Sequence, residues 1–344
     1  MRILVVKLTS MGDVLHLMPA LTDLKQHHPE AVIDWMVEES FADIPAWHPA
    51  VDRTIKVATR RWRTLKWRNI VEFLNFLKVL RSEPYDLVID AQGLIKSAVF
   101  ARFAKLKRAG TRSGYSGNSI KESPAARLYG RRIAVERQQH AIERLRKLLA
   151  GALDYEYDPG VLDYGLRSPK VVSDSCSIML FHGTTWATKH VPEALWHELA
   201  ELANEDGYKV KLAWGNQAEY ERAKRIATGR PYVEVLAKSS LTELSRTITT
   251  IAGAIAVDTG LGHMAAAFSV PCVSLYGATD ANLTGALGQG QVRIQSAYPC
   301  SPCLLKQCPK LTDQVKQPPC YKSSDANPKL AAAEVWQALY EKIV

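Results

Sequence analysis

Short apolar runs alternate with stretches of helical spacing along most of the chain. In the first half the runs are "ILVV" (3–6), "VIDWMV" (32–37) and "YDLVIDAQG" (85–93). Between them, Val14, Leu17, Leu21 and Leu24 predict a helix over 13–28. Leu65, Val71, Leu74, Leu77 and Leu80 predict another over 65–82. The second half repeats the rhythm with "SIMLF" (177–181), "YKVKLAW" (208–214), "YVEV" (232–235), "AIAVD" (254–258) and "CVSLY" (272–276). Helices are expected near 192–205, 217–228, 240–251 and 260–268. Strands apolar on both faces, separated by amphipathic helices, indicate parallel sheets covered on each side. Segment 154–175 is rich in Asp, Pro, Gly and Ser and reads as a linker. The expectation is an α/β chain of two doubly wound, Rossmann-like domains, 1–163 and 164–344, with a cleft between them. Ligands in such sheets bind at the carboxyl ends of the strands.

The length of 344 residues suffices for two full cores. No apolar run approaches the ~20 residues that span a bilayer. Lys7 and Asp13 interrupt the N-terminal run too early for a signal peptide, so a cytosolic protein is expected. The net charge of +9 is unevenly placed. Residues 1–150 hold 26 Lys and Arg against 15 Asp and Glu, whereas the remainder holds 18 against 20. The first half is therefore built to meet something acidic: nucleic acid, an anionic membrane face or a phosphorylated substrate.

Four of the six cysteines, Cys300, Cys303, Cys308 and Cys320, fall in a C-x2-C-x4-C-x11-C pattern. The first pair suits a zinc knuckle, but the second half of a ribbon spacing is missing. Reduced thiols in an irregular segment, with no metal, are the expectation.

Several stretches carry candidate chemistry. "TSMGD" joins the first strand to the first helix, where Ser10 and Asp13 suit a helix cap and Asp13 equally suits a general base. In 58–68, Arg60, Arg61, Arg63, Lys66 and Arg68 interleave with Trp62 and Trp67. Such a stretch is a solvated basic face, a grip on phosphate or carboxylate, or a stacking platform for single-stranded nucleic acid. "HGTTWATKH" (182–190) offers two hydroxyls and a Lys at a strand-to-helix junction, without the spacing of a P-loop.

In "AIAVDTGLGHMAAA", Gly260-x-Gly262-x-x-Ala265 matches the dinucleotide fingerprint, with Asp280 about 20 residues on. A dehydrogenase is thus a rival reading. The fingerprint normally opens its domain, however, and here only one further strand is clear after it. An anion site on the amides of 259–261 is the preferred reading. His263 fits either the core or the phosphates. Glu219, just past a strand end, suits a surface charge or a ribose contact.

Taken together, "SMGDVLH", "WMVEESFADIPAWHP", "RRWR", "IDAQGLIKSA", "RQQHAIER", "TTWATKHVPE", "WGNQAEYERAKRI" and "VDTGLGHMAAA" closely resemble the ADP-heptose:lipopolysaccharide heptosyltransferases, from residue 1 to about 280. The resemblance is closest to members that add the first heptose to Kdo on lipid A. It implies a GT-B fold and metal-independent transfer with inversion, from ADP-L-glycero-D-manno-heptose to Kdo-lipid A, with no cofactor and no nucleic acid. A later core acceptor within the family is the alternative. It further implies peripheral contact with the anionic cytoplasmic face of the inner membrane.

The resemblance makes Asp13 the catalytic base. It makes Thr184, Thr185, Lys189, Glu219, Asp258, Thr259, Gly260 and His263 the donor contacts. Ser10, Gly12, Arg60, Arg61, Arg63 and Lys121 become acceptor contacts, Lys121 standing where an Arg is usual. The last helix, about 329–344, is expected to pack back on the first domain.

Overall fold

Two six-stranded sheets, parallel throughout, organise the chain. A computed structural model describes residues 1–64, 66–166, 174–312, 317–324 and 327–344. Leu65 and positions 167–173 of the expected linker lie outside the described residues. The chain divides into units Met1–Leu166 and Arg167–Val344.

The first unit runs β1 (Arg2–Val6), α1 (Met11–Leu15), α2 (Met18–His27), β2 (Val32–Glu38), β3 (Arg53–Val57) and α3 (Trp67–Leu80). It continues β4 (Tyr85–Asp90), α4 (Ile95–Phe103), β5 (Leu106–Tyr115), β6 (Arg131–Ile133) and α5 (Ala141–Leu153). Its strand order is β3-β2-β1-β4-β5-β6. The central strands are apolar because both faces are covered; Leu4, Val6, Met36 and Val57 pack against Phe76 and Leu80 of α3.

The second unit runs β7 (Asp174–Phe181), α6 (Glu193–Glu205), β8 (Lys209–Leu212), α7 (Gln217–Ala227), β9 (Val233–Val235) and α8 (Leu241–Ile248). Then come β10 (Ile251–Val257), α9 (Gly260–Ala267), β11 (Cys272–Tyr276), α10 (Ala281–Thr284), β12 (Gln291–Gln295) and α11 (Ala332–Ile343). Its order is β12-β11-β10-β7-β8-β9. Counted within its own unit, each sheet therefore has the order 3-2-1-4-5-6. The chain reverses its winding between the first and fourth strands, which leaves a crevice for ligands at their carboxyl ends. In the first unit those strands are β1 and β4; in the second they are β7 and β10.

Several expectations change. The helix over 13–28 is two helices, and Pro19 lies in the first turn of α2, where a missing N–H costs no hydrogen bond. The helix over 240–251 stops at Ile248, and Ile251 already belongs to β10. Residues 154–166 pack on the first unit rather than running free. Tyr155 stacks on His27 with ring centroids 4.7 Å apart, and the Arg146 guanidinium lies 4.2 Å over Tyr157. Gly165 adopts φ +66°, and a Cβ there would come within 2.4 Å of His48 Nε2. The last helix, α11, is built into the second unit, where Val335, Trp336 and Leu339 join the core beside α6 and β10.

Candidate active site

In the first unit the loop after β1 holds Asp13. The backbone N–H and the Oγ–H of Ser10 both donate to Asp13 Oδ2 at 2.8 Å, so the carboxylate closes a capping box at the start of α1. The ammonium of Lys7 lies 3.8 Å from its other oxygen. These partners, rather than a helix dipole, stand beside the anion, because α1 is a five-residue turn. The Asp13 side chain keeps 42% of its accessibility, against 8% for Lys7, so the carboxylate is reachable from solvent. Burial pushes the Lys7 amine below its ordinary range; the charges of Asp13 and Asp90 oppose that shift.

The loop is held from the β4 side. Gln92 Oε1 accepts the backbone N–H groups of Leu8 at 3.0 Å and Thr9 at 3.1 Å. Gln92 is itself placed by Asp90, which accepts from the amides of Gln92 and Gly93, from Ser97 Oγ and from the Tyr129 hydroxyl. Burial raises the Asp90 carboxyl above its usual range, and those four donors oppose the shift. Gly93 needs its φ of +70°, and a Cβ would come 2.7 Å from Ile120 Cγ2. Nothing in the spacing around Asp90 and Gln92 marks a role for them; only their place across the switch point from β1 reveals one.

The basic cluster follows β3 as a short 3-10 turn, Arg61–Arg63. Arg61 is engaged already, at 2.8 Å from Glu39 and 2.9 Å from Glu72. Arg60, Arg63 and Lys121 are exposed and meet no carboxylate among the described contacts. Ser10 is exposed at the N-cap of α1, and Gly12 is buried within that helix.

In the second unit the carboxyl ends of β7 and β10 meet at Asp258. Lys189 Nζ lies 2.6 Å from Asp258 Oδ2, and both side chains are largely buried. Thr279 donates its hydroxyl to the same oxygen, and His263 Nε2 lies 3.9 Å from Oδ1. Thr184 Oγ1 donates to the Asp258 carbonyl at 3.1 Å. Thr259 stands at the N-cap position of α9 without a side-chain capping bond, Gly260 is the helix's first residue, and the exposed Thr185 lies on the β7 loop beside Thr184.

Glu219 lies in the first turn of α7, accepting from the Gly215 amide at 2.7 Å. It borders the same loop, because a Cβ on Gly183 would come 2.7 Å from its Cδ. The structure thus brings seven of the expected donor residues to one strand-end cluster, with Glu219 at its side.

The fingerprint glycines do other work. Gly262 sits where a Cβ would come 3.2 Å from Ala256 Cβ and Ser274 Oγ, so it lets α9 pack close on the sheet. The motif follows β10, the fourth strand of its unit, whereas a nicotinamide fingerprint follows the first. The dehydrogenase reading falls on that position.

The cysteine-rich segment reaches this site. Thr188 Oγ1 donates to the Leu305 carbonyl at 2.6 Å, and Lys306 Nζ lies 5.5 Å from the centre of the Trp186 ring, which Lys189 also approaches, at 4.6 Å. Lys306 was not singled out in the sequence, and no local signal there marks it. All six cysteines are free, and Cys320 is pushed up to about 12 by burial and by the neighbouring Cys300, Cys303 and Cys308 thiols. Among the described residues no group of three His, Cys, Asp or Glu side chains is arranged to hold a metal.

Residues 73–312 match the model of glycosyltransferase family 9 (heptosyltransferase). The lipopolysaccharide heptosyltransferase 1 of Pseudomonas aeruginosa is 47% identical over 313 residues, covering 90% of this chain and 87% of that protein. E. coli heptosyltransferase WaaC with ADP superposes with a TM-score of 0.84 at 38% identity, covering 99% of this chain and 100% of that one. The same enzyme with ADP-2-deoxy-2-fluoro heptose gives 0.81 at 37% identity, covering 99% of each chain. Family match, identity and paired Rossmann-like units agree: this chain belongs to glycosyltransferase family 9, the heptosyltransferases.

Proposed function

We propose that the enzyme transfers L-glycero-D-manno-heptose from ADP-heptose to Kdo of Kdo-lipid A, with inversion at the anomeric carbon. The observation that carries this reading is the 47% identity to a lipopolysaccharide heptosyltransferase 1 across nearly the whole chain. The relative solved with a fluorinated ADP-heptose supports the donor. The site chemistry agrees with both. An acceptor hydroxyl oxygen attacks the anomeric carbon while the bond from that carbon to the ADP oxygen breaks. The hydroxyl proton passes to Asp13 Oδ1 late in the displacement, and ADP departs with the bonding pair.

General-base help of this kind is worth ~10²–10⁴-fold. The larger demand is the charge gathering on the departing diphosphate. Lys189 answers it, held in place by Asp258, with the Thr184 and Thr185 hydroxyls and the amides at the start of α9 as fixed dipoles. Glu219 accepts from the ribose hydroxyls, and His263 backs Asp258 against the heptose. Ser10, Gly12, Arg60, Arg63 and Lys121 receive the acidic acceptor, with Arg61 sharing its charge with Glu39 and Glu72.

The excess of basic residues in the first half would draw the enzyme to an anionic bilayer surface. No described helix is long and apolar enough to cross a membrane, so the contact we propose is peripheral, on the cytoplasmic face of the inner membrane. A matrix of donors and acceptors tests the reading. ADP-heptose with deacylated Kdo-lipid A should turn over, while ADP-glucose and UDP-sugars should not. Turnover only on acceptors that already carry heptose would move the enzyme to a later core step, and turnover with no ADP-heptose dependence would overturn the donor.

A further inference from the structure

One cavity of the first unit borders the basic turn at Arg63, and its apolar walls take no part in the chemistry above. It measures about 400 Å³ and lies between α3, α4 and the turn that precedes α3. Its walls are Trp62, Ile70, Phe73, Phe100 and Phe103, with Arg63 and Lys96 among the lining residues. Close-packed interiors leave few voids larger than a water, and this volume falls in the range of ligand sites. The walls are an aromatic chain: Trp62 meets Phe73 and Phe76 at 5.4 and 5.1 Å, and Phe100 and Phe103 stand 6.2 Å apart. Thr59, Thr64 and Asn69 complete the lining, but the aromatic and aliphatic side chains form most of the wall, which suits a hydrocarbon chain better than a sugar or a nucleotide.

The surface around it repeats the same chemistry. Trp67 is 75% exposed and Leu74 56%, and Ile70, Val71 and Val79 of α3 are exposed with them. Ile95, Val99 and Phe103 of α4 extend the apolar face. The segment that builds it is basic: residues 60–108 carry twelve Lys and Arg against four Asp and Glu, with Arg63 and Lys96 at the cavity itself. Of the four acids, Glu72 is taken by Arg61 and Trp62, Asp86 by Lys107, and Asp90 is buried. An apolar helix face with an exposed Trp and a basic margin is the composition of a helix that lies in a membrane interface. The positive margin complements an anionic headgroup and fits no neutral apolar partner as well.

We propose that this cavity seats one acyl chain of an anionic bilayer phospholipid, with α3 and α4 dipping their apolar faces into the membrane around it. Arg63 and Lys96 meet the phosphate at the mouth. The proposal rests on the reading that the enzyme works at a membrane surface, and it does not depend on which sugar acceptor is used.

The test uses the full chain and vesicles of phosphatidylglycerol and phosphatidylethanolamine, with no sugar acceptor present. In a Trp67→Phe background, phosphatidylglycerol brominated on its acyl chains should quench tryptophan fluorescence, and adding Trp62→Phe should remove that quenching. Leu74→Asp, on an exposed position, should weaken vesicle binding about tenfold or more, because it places a charge in the interface. The same variant should leave transfer to a deacylated, water-soluble acceptor unchanged. Binding that high salt abolishes, with no quenching from brominated chains, would mean headgroup attraction alone and would overturn the proposal. Absence of vesicle binding at low salt would overturn it as well. Failure of sugar transfer to the soluble acceptor in the unmodified enzyme would instead strike the proposed function, so the two can fail separately.

Discussion

Replacing Asp258 by Asn removes one charge from the centre of the second unit's site and keeps its shape. In the native enzyme the carboxylate sits 2.6 Å from the Lys189 ammonium and also receives the Thr279 hydroxyl. The Lys189 and Asp258 side chains retain only 15% and 7% of their accessibility, so water compensates neither charge well. Breaking a buried pair by removing one partner costs about 3–5 kcal/mol, most of it from the charge left behind. Lys189 has some outlet to solvent, which places the expected loss near the lower end, about 3 kcal/mol. For a unit of this size each kcal/mol lowers the midpoint by about 2–4 °C, so calorimetry should show a fall of roughly 6–12 °C.

ADP should then raise the midpoint of the variant more than that of the wild type, because its diphosphate supplies the anion that Lys189 has lost. The double variant Asp258→Asn/Lys189→Met should recover most of the stability and bind ADP weakly. A midpoint for Asp258→Asn within 1 °C of wild type would refute this account of the pair. So would equal stabilisation of variant and wild type by ADP.

Other expectations follow from the same geometry. His182 and His190 are pushed down to about 4 by burial, with Arg222 adding to it, whereas an unfolded chain takes up the proton near 6.5. The stability from keeping His182 neutral is therefore complete above pH 6.5 and is lost as pH falls toward 4, by about 3 kcal/mol, which denaturant titration across that range will show. Arg63→Ala should raise the acceptor KM more than Arg61→Ala, since Glu39 and Glu72 already share the Arg61 charge; steady-state kinetics on both variants decides it. Gln92→Ala frees the amides of Leu8 and Thr9, so kcat should drop at least tenfold by loss of positioning, with ADP affinity unchanged.

Much of this architecture is legible in the sequence because parallel strands covered on both faces must be apolar. The runs at 3–6, 32–37, 85–90, 177–181 and 272–276 are all strands. The ones that escape are polar for physical reasons. β3, β6 and β12 lie at sheet edges, where one side needs no apolar cover, and β5 exposes most of its first half. The division between the units falls inside the expected linker, and its first part, 154–166, packs on the first unit through tyrosines whose role the neighbouring Asp, Pro and Gly conceal.

At the site, the resemblance supplies the expected roles, and local spacing alone leaves Asp13 between cap and base and His263 between core and phosphate. Neither marks Gln92 or Lys306, since each reaches its place only through the fold. The charge nearest the carboxylate at the start of α1 is Lys7, just past the end of the strand before it. That pairing needs only the turn of the loop, and the six-residue separation conceals it.

The central claim is that Asp13 receives the acceptor proton. Its most direct test is Asp13→Asn, because asparagine can still accept from Ser10 while it cannot take up a proton. Single-turnover transfer of heptose to a Kdo acceptor should slow by ~10²–10⁴-fold, with ADP affinity and unfolding midpoint close to wild type. Transfer within threefold of wild type, at unchanged ADP affinity, would contradict the account.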